Sequence, residues 1–138
     1  MTALVILTEG GSRCGFGHVT RCSALHDEAL ARGLAPRFLI NGDQEVRQVL
    51  GNRSFALLDW RTAECINKNL SQDAFAIVDS YMADLEVYEL ISASCKRAVF
   101  IDDNKRLVYP AGIVVNPSIY GHTLDYPKST GVEYLLGP

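Results

Sequence analysis

Short apolar runs alternate along this chain with segments whose apolar residues recur at helical spacing. Six runs have the length and composition of buried strands: residues 3–7, 36–41, 55–60, 74–79, 97–102 and 112–116. Four intervening segments have the helical pattern: residues 19–32, 43–50, 62–70 and 84–91. Beyond Pro117 the frequent prolines and glycines predict a loop-rich tail.

Residues at the segment ends agree with this alternation. Asp43, Thr62 and Asp84 each stand at the first position of a helical segment, where a short oxygen-bearing side chain caps the first N–H groups. Gly33 follows the first helical segment, at a position that favours glycine. Strands that alternate with helices imply right-handed crossovers. We therefore predict a single α/β domain, residues 1–138, with a Rossmann-like, doubly wound parallel sheet.

The segment that joins the first strand to the first helix is rich in glycine. Residues 9–21 read EGGSRCGFGHVTR, and four glycines there allow backbone N–H groups to approach a ligand closely. His18 stands almost at the start of the helix. Strand, glycine loop, histidine and helix in this order predict a site for an anionic or sugar ligand.

Polar residues also follow several other predicted strands. They are Asn41, Asp43, the segment 79–81, the segment 102–104 and Asn116. Any one of them could be a simple cap or turn residue. In a doubly wound sheet, however, ligands bind beyond the carboxyl ends of the strands. As a group these residues therefore predict a site along one edge of the sheet.

Among the three histidines, His18 is the candidate general base. The positive end of a helix disfavours an imidazolium, so we expect a neutral ring near pH 7 that can accept a proton from water. Arg21 lies one turn further on, where it could hold an anion or pair with a carboxylate such as Asp79. We expect His26 on the exposed face of the helix and His122 in the tail, both with structural roles.

Composition narrows the choice of partners. The chain is 48% apolar and 21% charged, and its net charge of −3 argues against nucleic acid as the main partner. Neither a signal peptide nor a membrane-spanning run is evident, which predicts a cytoplasmic protein. The four cysteines lack metal-ligand spacing, so we expect reduced thiols and no metal site. Cys14, in the glycine loop, is interpreted as a small loop residue rather than a nucleophile.

Residues 15–22, GFGHVTRC, resemble the GxGHxxRC signature of the PseG family, the UDP-sugar hydrolases of pseudaminic acid biosynthesis. That family is related to the spore-coat polysaccharide protein SpsG and, more distantly, to the glycosyltransferase MurG. The similarity covers essentially the whole chain; its further matches are residues 78–81, 101–103, 115–116, the loop at Tyr120 and residues 131–138. Thr8 and Glu9 stand where the family often has Arg and Asp, and the family's Asp near Gly112 is also missing. The change at Thr8 bears on the substrate more than on the fold.

The resemblance implies a GT-B architecture, in which two Rossmann-like domains face each other across a cleft. This chain would be the N-terminal domain, and the C-terminal domain, which supplies most of the UDP site, would be absent from it. The expected partners are a UDP-sugar substrate and that C-terminal domain. The isolated domain would then be inactive, and the chemistry would need no metal or other cofactor.

By the same resemblance, His18 would activate a water that attacks the anomeric carbon and displaces UDP with inversion, and Tyr81 would position the sugar or the water. The substrate-binding residues would be Gly15, Gly17, Arg21, Asp79 and Asn116. Two alternatives stay open. The domain could hold a sugar acceptor in a GT-B glycosyltransferase, or it could be a non-catalytic half-domain that binds a sugar or a protein.

Overall fold

The computed structural model describes residues Met1–Pro138, which form seven strands and four helices. The strands are β1 (Ala3–Gly10), β2 (Ala35–Gly42), β3 (Phe55–Leu57), β4 (Phe75–Asp79), β5 (Arg97–Ile101), β6 (Gly112–Asn116) and β7 (Val132–Leu136). The helices are α1 (Gly17–Ala31), α2 (Arg47–Leu50), α3 (Ala63–Asn69) and α4 (Leu85–Ser94). Two single 3₁₀ turns, Gln44–Val46 and Gly121–Thr123, complete the list.

The seven strands form one sheet in the order β3-β2-β1-β4-β5-β6-β7, and every pairing is parallel. The strand order reverses between β1 and β4, which are neighbours in the sheet although two strands separate them in sequence. This confirms the predicted α/β, Rossmann-like doubly wound fold. It also brings the loops after β1 and β4 side by side, at the point where such folds bind ligands.

Apolar side chains from both faces of the sheet form two cores. On one face, β1 and β2 pack against α1 and α2 around Phe38 and Ile40. On the other, β4 and β5 pack against α3 and α4 around Tyr88 and Phe100. Because β1 lies between both cores, its residues 4–10 are all buried, which explains the continuous apolar run in the sequence.

Three predicted helix caps are confirmed. The Asp43 carboxylate accepts a hydrogen bond from the Glu45 backbone N–H at 3.0 Å. Thr62 and Asp84 accept the corresponding bonds at the starts of α3 and α4, each at 3.1 Å. Gly33 follows α1 with φ of 82°, the left-handed conformation expected after a helix.

Three sequence predictions need correction. The tail contains a strand, β7, whose residues alternate between exposed and half-buried. Four of its five residues are apolar, but the prolines and glycines around it favoured a loop. The third strand ends at Leu57 rather than at residue 60. His26 is only 5% exposed and stacks on Phe38, so its predicted place on the exposed face of α1 is wrong.

Loops, rather than α-helices, join β5 to β6 and β6 to β7. Consequently Phe75, Ile77, Val99 and Ile113 are only half-buried on the α1 side of the sheet, where they line a groove of about 370 Å³. No helix has the combined length and apolar character that crossing a bilayer requires.

The ends of β1 and β2 approach each other closely at Gly10 and Gly42. A Cβ built on Gly42 would lie 1.7 Å from the Gly10 carbonyl oxygen. We expect Gly42→Ala to lower the free energy of unfolding by about 3 kcal/mol in urea denaturation, because the strands must separate. Gly17→Ala is the matched control: a Cβ there meets no atom within 4 Å, so the change should stay within about 1 kcal/mol. Equal effects of the two substitutions would contradict this account.

Candidate functional site

The glycine loop between β1 and α1 is a compact turn rather than a flexible linker. Gly11 and Gly15 exchange two backbone hydrogen bonds, each 2.9 Å, and both have positive φ angles. Asp43, at the end of β2, holds the loop tip by accepting bonds from the Ser12 N–H at 3.0 Å and the Ser12 hydroxyl at 2.6 Å. The loop therefore delivers the chain to α1 in a defined position.

His18, in the first turn of α1, contacts the carboxylate at the end of β4. Its Nδ1 lies 2.8 Å from Oδ1 of Asp79, and the histidine side chain is 12% exposed. Because an ionised carboxylate can only accept, the proton belongs on Nδ1, and Nε2 is left free in the neutral ring. Nε2 lies 4.0 Å from Oε1 of Glu9. The site thus contains an oriented imidazole beside two carboxylates.

We expected the positive end of α1 to lower the pKa of His18 and keep the ring neutral, but the pKa of this histidine is raised. The hydrogen bond to Asp79 raises the pKa of His18 above its ordinary value and outweighs burial, which would lower it. The charges of Asp79 and Glu9 act in the same direction, and Arg21 opposes them. The hydrogen bond to Asp79 and the charges of the two carboxylates therefore make this imidazole a stronger base than a free histidine.

Arg21 connects two carboxylates that come from different strands. Its Nε and one terminal nitrogen donate to Asp79 at 2.8 and 2.7 Å, and its terminal nitrogens donate to Asp103 at 2.7 and 3.1 Å. Burial alone would raise the pKa of Asp79, but hydrogen bonds from His18 and Arg21 hold it below its usual range. The sequence left two roles open for Arg21, an anion site or a carboxylate pair, and the structure shows the pair with Asp79. Most N–H groups of the guanidinium are therefore already engaged.

Tyr81 lies on the rim of the site. Its hydroxyl donates to Asp103 at 2.5 Å, and its ring meets His18 edge-on, with centroids 4.5 Å apart. The hydrogen bond to Asp103 and partial burial raise the pKa of Tyr81 to about 12, so the phenol stays protonated near neutral pH. The side chain restricts the His18 ring while half of its own surface faces solvent.

Two carboxylates, Glu9 and Asp103, lie in segments that the sequence placed at this edge of the sheet, but no individual role in the site was predicted for either. Glu9 is 2% exposed at the end of β1 and accepts bonds from the Ser80 hydroxyl at 2.7 Å and the Tyr81 N–H at 2.5 Å. Asp103 follows β5 and holds Arg21 and Tyr81. Their signal in the sequence is the same as that of Asp79: an acidic residue directly after an apolar strand.

Several predicted residues surround one hollow of about 340 Å³, which is lined by Cys14, Gly17, His18, Arg21, Tyr81 and Asp103. Asp79 lies beneath it, fully buried. Desolvation and the charge of Glu9 raise the pKa of the Cys14 thiol, which disfavours the nucleophilic thiolate. Gly15 shapes the turn but does not line the hollow.

Asn116, which was predicted to bind substrate, does not line this hollow. It is fully buried at the end of β6, where its amide nitrogen donates to the Tyr126 hydroxyl at 3.0 Å and its oxygen accepts the Ser118 N–H at 3.0 Å. Both ends of the amide are therefore engaged within the protein. Its contacts indicate a role in holding the chain after β6.

Asp102 has a structural role although it is next to Asp103. Its buried carboxylate accepts the backbone N–H groups of Lys105 and Arg106 at 2.7 and 3.1 Å. It also accepts the hydroxyl groups of Tyr109 and Tyr126. These four bonds fold the loop after β5, and this fold presents Asp103 to the site.

No family model, no curated protein and no solved structure matches this chain.

The first test of this geometry is the titration of His18. In Asp79→Asn, we expect the midpoint for His18, followed by NMR of its ring protons, to move to lower pH, because the charge and the acceptor opposite Nδ1 are lost. Asp59→Asn, a change at an exposed carboxylate that pairs with Arg61, should leave the midpoint unchanged. An unchanged midpoint in Asp79→Asn would show that the pair does not control this histidine.

Proposed function

We propose that this chain is the N-terminal domain of a nucleotide-sugar hydrolase that cleaves the sugar–UDP bond by water attack at the anomeric carbon. The substrate class is a UDP-diacetamido-trideoxy sugar, and the pathway is biosynthesis of a pseudaminic-acid-type nonulosonate or of a surface polysaccharide. The observation that carries the proposal is the His18–Asp79 pair at the point where the strand order reverses. The motif resemblance at residues 15–22 supplies the substrate class.

In this mechanism His18 is the general base. Its Nε2 removes a proton from water while the water oxygen bonds to the anomeric carbon. The bond between that carbon and the diphosphate oxygen breaks, and its electron pair leaves with UDP. Asp79 keeps Nδ1 protonated and stabilises the imidazolium that forms, the role of the carboxylate in other catalytic triads and dyads.

The charges around the hollow support the proposal that UDP is bound by the C-terminal domain and not by this one. Arg21 is the only arginine or lysine that lines the hollow, and Asp79 and Asp103 already hold it. A diphosphate therefore finds no free arginine or lysine here. On this proposal the C-terminal domain binds UDP, and the present domain supplies the base, the loop backbone at Gly17 and the exposed Tyr81 ring for the sugar.

Transfer to a sugar acceptor is the second candidate function, favoured by one observation. Cys14 of the glycine loop also lines a neighbouring hollow of about 430 Å³, together with Arg13, Asn41 and Met82. The Asn41 side chain makes no hydrogen bond within the chain, so its amide is free for a ligand hydroxyl. An acceptor bound there would take the place of water.

The decisive experiment uses the protein with both domains and candidate UDP-sugars in ¹⁸O-labelled water. Hydrolysis with attack at the anomeric carbon places the label on the sugar. Label on UDP would contradict attack at that carbon. Cleavage that needs an added acceptor would favour transfer, and sugar binding without UDP release would favour the non-catalytic alternative.

Replacement of the base tests its role directly. We expect His18→Ala to reduce turnover by about 10²- to 10⁴-fold. UDP affinity, measured by calorimetry, should stay nearly unchanged because UDP is bound mainly by the other domain. His122→Ala, a change at an exposed histidine of the tail, is the control and should keep full turnover. Retained turnover in His18→Ala would refute the general-base role.

The pH dependence follows from the raised pKa of His18. A general base must be unprotonated, so kcat/KM should rise with pH, with its midpoint above the ordinary value of about 6.5. In Asp79→Asn the midpoint should move to lower pH while the plateau rate falls. A rate that declines through this range would instead indicate that protonated His18 is the active form.

A further inference from the structure

Glu9 is a buried carboxylate at the centre of the site that the proposed mechanism does not use. It ends the apolar run of β1 and faces the loop after β4, with only 2% of its surface exposed. A buried charge is unfavourable unless it is hydrogen-bonded or paired. The Ser80 hydroxyl and the Tyr81 backbone N–H supply one bond to each carboxylate oxygen.

The imidazole of His18 is the one basic side chain within 4.0 Å of this carboxylate. Oε1 of Glu9 lies 4.0 Å from Nε2, whereas Asp79 contacts Nδ1 on the opposite side of the ring. The other charged groups around the ring are Arg21, on the same helix, and Asp103, which follows β5. The imidazole therefore lies between two carboxylates, one facing each ring nitrogen.

The same carboxylate also holds the backbone that carries Tyr81. Its 2.5 Å bond to the Tyr81 N–H sets the start of the loop after β4. From that position the Tyr81 ring reaches the edge of His18, and its hydroxyl reaches Asp103. Glu9 is thus connected to both residues that the proposed function places at the reacting centre.

We propose that Glu9 is a positioning residue of this site, which stabilises the proton on Nε2 of His18 and fixes Tyr81 against the imidazole. The inference deepens the proposed function and rests on it, since Nε2 is the atom that receives the proton from water. In that step the proton moves from water to Nε2 and arrives beside the Glu9 charge. Asp79 stabilises the same imidazolium from Nδ1.

Two substitutions separate the two actions. Glu9→Gln removes the charge but keeps an oxygen for the Tyr81 N–H and a nitrogen that can donate to Ser80. Glu9→Ala removes both the charge and the anchor. Glu28→Gln makes the same chemical change ten residues beyond His18 on α1, about 15 Å along the helix axis, and is the control.

The first readout is the NMR titration of His18 in this chain. We expect Glu9→Gln to move the midpoint to lower pH and Glu28→Gln to leave it in place. The second readout is hydrogen exchange at the Tyr81 amide. We expect protection in the wild type and in Glu9→Gln, and faster exchange in Glu9→Ala. An unchanged His18 midpoint in Glu9→Gln, or equal Tyr81 protection in all three chains, would overturn the inference.

A measurement on the unmodified chain covers the case in which a variant does not fold. The carboxyl carbon of Glu9, labelled with ¹³C, should show a step in its chemical shift at the midpoint of His18. A featureless curve there would overturn the inference. None of these readouts requires turnover. Failure to hydrolyse any UDP-sugar would therefore remove the proposed function, whereas an unchanged titration would remove the role of Glu9 alone.

Discussion

The buried carboxylate of Asp79 connects the sheet to the helix that carries the candidate base. It ends β4 and pairs in register with Thr8 of β1, whose hydroxyl donates to the Asp79 carbonyl at 2.8 Å. Its side chain holds both His18 and Arg21 of α1. A carboxylate buried this deeply must be paired, so the first turns of α1 are fixed relative to β4. The geometry of the hollow depends on this pairing.

Charges of opposite sign alternate through the site. Each acidic side chain is followed by a basic one, in the order Glu9, His18, Asp79, Arg21 and Asp103. With a neutral imidazole, three carboxylates face one guanidinium, so the cluster carries an excess of negative charge. Protonation of His18 reduces that excess. This arrangement agrees with the raised pKa of His18.

The glycine loop has a more limited role than a phosphate-binding loop. Gly11 and Gly15 close it into a turn, and Asp43 holds its tip from β2. Its residue Cys14 lines two hollows, one beside His18 and one beside Asn41. Because Arg21 is already paired with Asp79 and Asp103, the hollow beside His18 is better suited to a neutral sugar and water than to a diphosphate.

Local sequence determined most of the elements of this protein. Helical and strand periodicities, the caps at Asp43, Thr62 and Asp84, and Gly33 depend on residues a few positions apart, so they could be predicted without the fold. The alternation of strands and helices was sufficient to predict the doubly wound sheet, and the sheet rule placed His18, Arg21, Asp79 and Tyr81 at one edge.

Only the tertiary structure decided the electrostatics of the site and the presence of β7 at the edge of the sheet. His18 and Asp79 are 61 residues apart, and the hydrogen bond between them that raises the pKa of His18 exists only once β1 and β4 are neighbours. For the same reason the sequence could not assign Glu9 to His18, bury His26 against Phe38, or separate Asn116 from the hollow. The strand β7 pairs with the edge strand β6, and the sequence of β7 alone did not predict this pairing.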